Sequence, residues 1–211
     1  MSGINWSEQL APLIKHYKGR KHPLNYQNKY QLVVMVLLSA QDSDKHINSL
    51  APAFFEAYPS INQLAKAEPE DLQRYLGSVM NFGNKSGWLM KLAQMVGDDG
   101  KIPSTLDELT KLPGIGRKSA NVIIRETGGK AEGVIVDLHV VRVAPRLGVA
   151  QGTNPQKIEK QIMDQLPQSD WGEAGMAISF LGREICRPTN PKCPECIMNS
   201  SCAFYKGLAK P

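Results

Sequence analysis

The stretch Leu112-Pro113-Gly114-Ile115-Gly116-Arg117-Lys118, followed nineteen residues later by Asp137, decides how this chain is read. The segments on either side, Thr105–Lys111 and Arg117–Glu126, both have helical spacing, and only a few residues join them. So sharp a reversal calls for the positive φ that glycine tolerates. Backbone N–H groups around Gly114 and Gly116, with those of the next helix's first turn, would then face outward as an array suited to a phosphate oxygen. Such a contact ignores base sequence. The plainer alternative is an ordinary helix–helix turn; the Arg-Lys pair that follows in a basic chain favours the phosphate.

Lys118 falls near the N-terminus of the second helix, where the dipole disfavours an ammonium and favours the neutral amine. A neutral lysine amine is a nucleophile, and its attack on a sugar carbon gives a Schiff base. Asp137 is its natural complement, since a carboxylate can stabilise positive charge developing on a sugar ring and can help move protons. Asp137 also stands where an N-cap would stand for a helix over Leu138–Leu147, and capping would fix the carboxylate in place.

Outward from this centre the chain reads as all-α. Apolar residues Trp6, Leu10, Leu13, Ile14 and Tyr17 mark one helical face, and Tyr30–Ala40 reads as a helix buried on all sides. The polar run Ser39–Asp44 leaves that buried helix, with Asp42 or Ser43 as the expected N-cap of a helix near His46–Tyr58. Short helices follow over Ile61–Ala67 and Pro69–Leu76. A glycine-containing loop over 77–85 is expected to precede a helix over Ser86–Val96, with Phe82 either entering a duplex or, as the plainer reading, anchoring the loop to the core. Ser104 and Asp107 have N-cap spacing. Asn154-Pro155 opens a helix to Leu166, and Asp170 with Glu173 predicts the start of a helix over Trp171–Ile185. No alternating strand pattern occurs, and about ten short helices are expected.

Composition sets the outer limits. The 211 residues are 42% hydrophobic and 21% charged, as in an ordered globular protein. A net charge of +5 with pI near 9.0 suits a polyanionic partner. The basic run from Lys15 to His22 reads first as a solvated helix end. The longest apolar run, Leu32–Leu38, has seven residues, whereas a membrane-spanning helix needs about 20. The N-terminal Met1-Ser2-Gly3-Ile4-Asn5-Trp6 has neither a basic start nor a hydrophobic core. A soluble, cytoplasmic protein is expected, associated with the nucleoid if bacterial.

Cys186, Cys193, Cys196 and Cys202 are spaced C-x6-C-x2-C-x5-C near the C-terminus. In a reducing compartment that points to metal rather than disulfides. A structural zinc is usually held by two close pairs, and only Cys193 and Cys196 are close. Four thiolates leave no open position for substrate, so the role is structural. Arg187 and Lys192 in the same loop could meet a phosphate.

Residues 112–122, Leu-Pro-Gly-Ile-Gly-Arg-Lys-Ser-Ala-Asn-Val, with Val136-Asp137-Leu138-His139-Val140-Val141-Arg142-Val143 and Leu37-Leu38-Ser39-Ala40-Gln41, closely resemble the endonuclease III family of DNA glycosylases. The resemblance runs almost end to end. It implies the helix-hairpin-helix DNA glycosylase fold: a six-helix domain over 22–132, a cluster domain over 1–21 and 133–211, and an active-site cleft between them. It makes Lys118 the Schiff-base lysine and Asp137 the catalytic aspartate. The cysteine spacing matches the family's iron–sulfur loop, so a [4Fe–4S] cluster is the implied cofactor. Gln41, Asn81, Gly114, Gly116, His139 and Lys192 are the implied DNA contacts. The expected activity is a base-excision-repair glycosylase and AP lyase acting as a monomer on damaged, oxidised pyrimidines or abasic sites in double-stranded DNA. A monofunctional mismatch or alkylation glycosylase and a non-catalytic DNA-binding module are the alternatives. Two positions depart from the family pattern. Leu138 replaces a common threonine beside the aspartate, and Asn81 replaces a leucine-like wedge that fills the gap left by a flipped base.

Overall fold

The computed structural model describes residues 4–208, so Met1, Ser2 and Gly3 of the N-terminal stretch read above lie outside the described residues. Twelve α-helices and no strand occur among the described residues. In order they are α1 (Trp6–Tyr17), α2 (Lys29–Leu38), α3 (Asp44–Ala57), α4 (Ile61–Leu64), α5 (Pro69–Leu76) and α6 (Phe82–Val96), then α7 (Leu106–Leu109), α8 (Arg117–Glu126), α9 (Leu138–Leu147), α10 (Pro155–Gln165), α11 (Gln168–Glu184) and α12 (Ala203–Leu208). None is long and apolar enough to cross a membrane. The chain divides into two compact units: Lys21–Gly129, and the residues up to Arg20 together with those from Lys130 onward.

The Lys21–Gly129 unit is built on α2. Every residue from Leu32 to Leu38 is buried, and α3, α6 and α8 all pack on this helix. Side-chain caps set the helix starts, with Asn28, Ser43 and Ser60 each accepting from the N–H three residues on. Ser43 therefore caps α3, and Asp42 is released for other partners.

Two expected boundaries move. The cap of α7 is Thr105, not Ser104. Thr105 accepts from the Glu108 N–H and donates its hydroxyl to the Glu108 carboxylate at 2.7 Å, while the Ser104 hydroxyl accepts from Lys29 Nζ at 2.7 Å. The N-cap thus forms one residue later than predicted. Likewise α6 begins at Phe82 rather than Ser86, because Asn81 turns the chain at φ 60° and residues 83–85 are already helical. Phe82 is half-buried.

In the cysteine-bearing unit, α11 packs on both α1 and α9. It starts at Gln168 behind Pro167, so Asp170 lies inside its first turn and caps nothing. A carboxylate there still suits the helix dipole. Gly175 is needed for close approach: a Cβ on it would lie 2.4 Å from the Ile135 carbonyl oxygen. The segment leading to Asp137 thus lies directly on α11. Of the basic run, Arg20 pairs with Glu184 at 2.5 Å and stacks over Phe180, and His22 is buried. Only His22 departs from the solvated reading; Arg20 stays exposed while it makes these contacts.

Candidate active site and cysteine cavity

Residues Leu112–Ile115 form a hydrogen-bonded turn, with the Ile115 N–H donating to the Leu112 carbonyl at 3.1 Å. Pro113 and Gly114 occupy the central positions in the manner of a type II turn, with Gly114 at φ 78°. A Cβ on Gly114 would also lie 2.9 Å from Leu37 and 3.0 Å from Trp88. Gly116 differs from the expectation. Its φ is −86° and a Cβ there would meet nothing, so the protein's own backbone does not require glycine. Gly116 is the N-cap of α8 with no capping side chain, the kind of helix start that receives phosphate oxygens well. Lys118 is the second residue of that helix and is half-buried.

Asp137 is the N-cap of α9, as its sequence position predicted. Its Oδ1 accepts from the His139 and Val140 N–H groups, both at 2.9 Å. Its Oδ2 accepts from the Ser179 hydroxyl at 2.6 Å, with Arg183 at 3.9 Å. Three hydrogen bonds leave the carboxylate little freedom. Ser179 escaped the sequence reading, although a fully buried serine within the apolar run of α11 was the available signal. His139 is half-buried with Nδ1 3.3 Å from Arg142. Leu138 is 70% exposed, a large apolar side chain left in solvent beside the carboxylate.

Gln41 and Asn81 are both exposed and both left-handed, each at φ 60°. Asp42 lies between their loops. Its Oδ1 accepts from the Ser43 N–H at 2.7 Å and meets His46 Nδ1 at 2.8 Å, and its Oδ2 accepts from the Met80 N–H at 2.9 Å. Burial alone would raise the Asp42 carboxyl, but these bonds outweigh it and hold it below the usual carboxylate value. Lys85 is buried and donates to the Leu38 carbonyl at 2.7 Å and the Ala40 carbonyl at 2.6 Å. Burial pushes its amine down, against the pull of Asp42. From sequence Asp42 was read only as a possible N-cap, and Lys85 was not singled out.

The four cysteines are free thiols lining one small apolar cavity, walled also by Leu147, Leu181, Ile185 and Phe204. Among the described residues no three ligand side chains are gathered as they stand around a single ion. Four soft donors around a shared apolar space fit a cluster with several metal corners. Burial pushes the Cys193 and Cys196 thiols up, and the neighbouring cysteines push the same way. Arg146 fastens the loop: it donates to the Arg187 carbonyl at 2.8 Å and the Pro188 carbonyl at 3.1 Å, and lies 3.6 Å from Cys186 Sγ. Arg142 reaches the Cys186 carbonyl at 3.2 Å. Their spacing of four residues on α9 was the sequence signal for this clamp. Lys192 is exposed but shares its charge with Glu195 at 3.7 Å, so a phosphate would have to compete with that carboxylate.

The family model described as HhH-GPD superfamily base excision DNA repair protein matches residues 34–168, a span that takes in the glycine turn, Lys118 and Asp137. The Endonuclease III of Synechocystis sp. is 36% identical over 198 residues, covering 93% of this chain and 90% of its own. That of Bacillus subtilis is 36% identical over 195 residues, covering 89% of each. A solved structure of a trapped endonuclease III–DNA covalent intermediate, 30% identical, superposes with TM-score 0.85 over 96% of both chains. Within the superfamily, the chain belongs to the endonuclease III family. Its fold is the all-α helix-hairpin-helix glycosylase fold.

Proposed function

We infer that the protein is a base-excision-repair DNA glycosylase with AP lyase activity, acting on oxidised pyrimidines and abasic sites in duplex DNA. The observation that carries this reading is Lys118 in the first turn of α8, directly behind an uncapped glycine start, in a chain similar to a protein trapped as a covalent DNA intermediate. The helix start at Gly116 takes a backbone phosphate. The target nucleotide is unstacked, at the cost of a few kcal/mol, with Gln41 and Asn81 entering the space it leaves. Asn81 Oδ1 accepts from the Asn84 amide at 2.9 Å, which leaves one lone pair and both amide N–H groups of Asn81 for an orphaned base.

Lys118 Nζ attacks C1′ as the N-glycosidic bond breaks, and the base leaves with the bonding electrons and takes up a proton. Asp137, held by its two N–H bonds and Ser179, stabilises the positive charge that develops on the sugar. The amine gives up one proton, the C1′–O4′ bond opens with O4′ taking up a proton, and a protonated Schiff base forms between Nζ and C1′. Loss of a C2′ proton then expels the 3′ phosphate, and the strand is nicked 3′ to the lesion. Cys186, Cys193, Cys196 and Cys202 hold a [4Fe–4S] cluster, which cross-links the loop; Lys192 and Arg187 on that loop, with His139, contact the backbone.

Duplexes carrying thymine glycol, a uracil mispair or an abasic site test this reading with and without borohydride. The expected result is a trapped protein–DNA adduct that Lys118→Gln abolishes. Excision without a nick or an adduct would make the enzyme monofunctional, and binding without excision would make it a docking module.

A further inference from the structure

Gln41 and Asn81 are two of the three non-glycine residues at positive φ among the described residues. L side chains disfavour that conformation, and it persists only where the surroundings over-determine it. One side-chain cluster does so for both. The Asp42 carboxylate adjoins Gln41 in the chain and holds the N–H of Met80, the residue before Asn81, at 2.9 Å. His46, one turn into α3, extends the tie from Asp42 to the Ser78 hydroxyl at 2.8 and 3.1 Å. Lys85, one turn into α6 beyond Asn81, reaches back to the carbonyls of Leu38 and Ala40, the latter adjoining Gln41. Each loop is thus fixed by a side chain from the other's neighbourhood, across sequence separations of 38 and 45 residues.

We propose that Asp42, with His46 and Lys85, is a positioning cluster that holds Gln41 and Asn81 at one fixed separation, so that they enter the duplex together as a preformed pair. Asp42 does not touch DNA or the reacting atoms. Its effect is to remove the loop ordering that would otherwise draw on binding energy at the moment of base flipping. This rests on the reading of Gln41 and Asn81 as duplex-entering residues.

The test compares Asp42→Ala and Asp42→Asn with wild type in the full-length, cluster-loaded protein. Three readouts are used: single-turnover excision of thymine glycol paired with adenine, unstacking of a 2-aminopurine placed opposite the lesion, and cleavage of an abasic site in single-stranded DNA. Asp42→Ala should lose about tenfold in duplex excision, equivalent to about 1.4 kcal/mol, and the 2-aminopurine signal should slow in parallel. Single-strand cleavage has no partner strand to invade and should stay within about twofold of wild type. Asp42→Asn keeps one acceptor and should fall between; it carries the comparison if Asp42→Ala fails to fold. Equal losses on duplex and single strand would reduce Asp42 to a structural residue and overturn the proposal, as would no loss on either. Gln41→Ala and Asn81→Ala separate the two levels. If both excise from duplex normally, the underlying reading fails. If they are impaired and Asp42→Ala is not, only the positioning role fails.

Discussion

Asp137 caps α9 and, in the proposed mechanism, also has a chemical role; replacing it by asparagine and by alanine separates the two. Asparagine caps helices as well as aspartate does, so Asp137→Asn can keep Oδ1 on the His139 and Val140 N–H groups. Its amide then replaces Oδ2 opposite Ser179, whose hydroxyl can turn from donor to acceptor. What it loses is the charge, at 3.9 Å from a partly exposed Arg183. That should cost less than about 1 kcal/mol of stability. Asp137→Ala removes the cap and leaves the buried Ser179 hydroxyl without its acceptor, for a combined loss of about 2–4 kcal/mol. Activity should follow the opposite grouping. Both variants lose the carboxylate, and single-turnover excision should drop about a hundred- to ten-thousandfold in each. Urea unfolding followed by circular dichroism, beside gel-based excision, reads the two axes. An asparagine variant within about tenfold of wild-type excision would refute the chemical role. An asparagine variant as unstable as alanine would refute the capping argument.

Gly114→Ala should destabilise the protein by about 1–3 kcal/mol, since it forces an alanine to φ 78° against Leu37 and Trp88. Gly116→Ala should stay within about 0.5 kcal/mol of wild type in the same titration, yet weaken duplex binding measured by anisotropy; an unchanged affinity would remove the phosphate from this position. Tyr17→Phe tests a pH-dependent tie. Burial, and then the bond to Glu184, push Tyr17 up to about 12; burial would raise Glu184, but Tyr17 and Arg20 together hold it below its ordinary 4.5. The lowered carboxyl contributes stability above pH 4.5 that is lost as pH falls through its folded value, and the raised phenol contributes below pH 10 and is lost as pH rises toward 12. Tyr17→Phe should therefore lower stability by about 1 kcal/mol between those limits, after allowance for partial exposure, and converge on wild type in acid melts. At Asn81, glycine should relieve the left-handed backbone yet lower duplex excision. Leucine should reduce stability by about 1 kcal/mol but improve excision of stably paired lesions relative to mismatched ones. Equal excision of a stably paired lesion by wild type and Asn81→Leu would show that asparagine does not narrow the lesion range.

What could be read from the sequence was whatever depends on residues three or four apart. The caps Asp137 and Asn154, the turn at Pro113-Gly114 and the buried α2 all come from such local patterns. Ser104/Asp107 and Thr105/Glu108 are equally good capping boxes by spacing. The choice falls to Lys29, 75 residues from Ser104, which engages the Ser104 hydroxyl. The same limit hid Ser179, 42 residues from Asp137, and the Asp42 to Met80 bond. Periodicity identifies which face is buried; it does not name the partner that face will meet. The resemblance supplied Gln41 and Asn81 as contacts, but no sequence signal showed that both would sit on left-handed backbone.

That backbone is itself an argument about function. Where α6 ends, the chain needs a left-handed residue and uses Gly97, the cheapest solution. At 41 and 81 it needs the same conformation and yet keeps a carboxamide side chain at each. A turn that served only to connect helices would be better served by glycine, so the retained strain is in keeping with the proposed roles of the two side chains. Asparagine is among the residues most tolerant of this region, whereas the leucine typical of the family's wedge is not. The polar departure at position 81 therefore does two things at once. It eases the turn that aims the side chain and, on the proposed reading of Asn81 as a duplex-entering residue, replaces an apolar filler with hydrogen-bonding groups, so that loop geometry and the kind of base pair opened would change together.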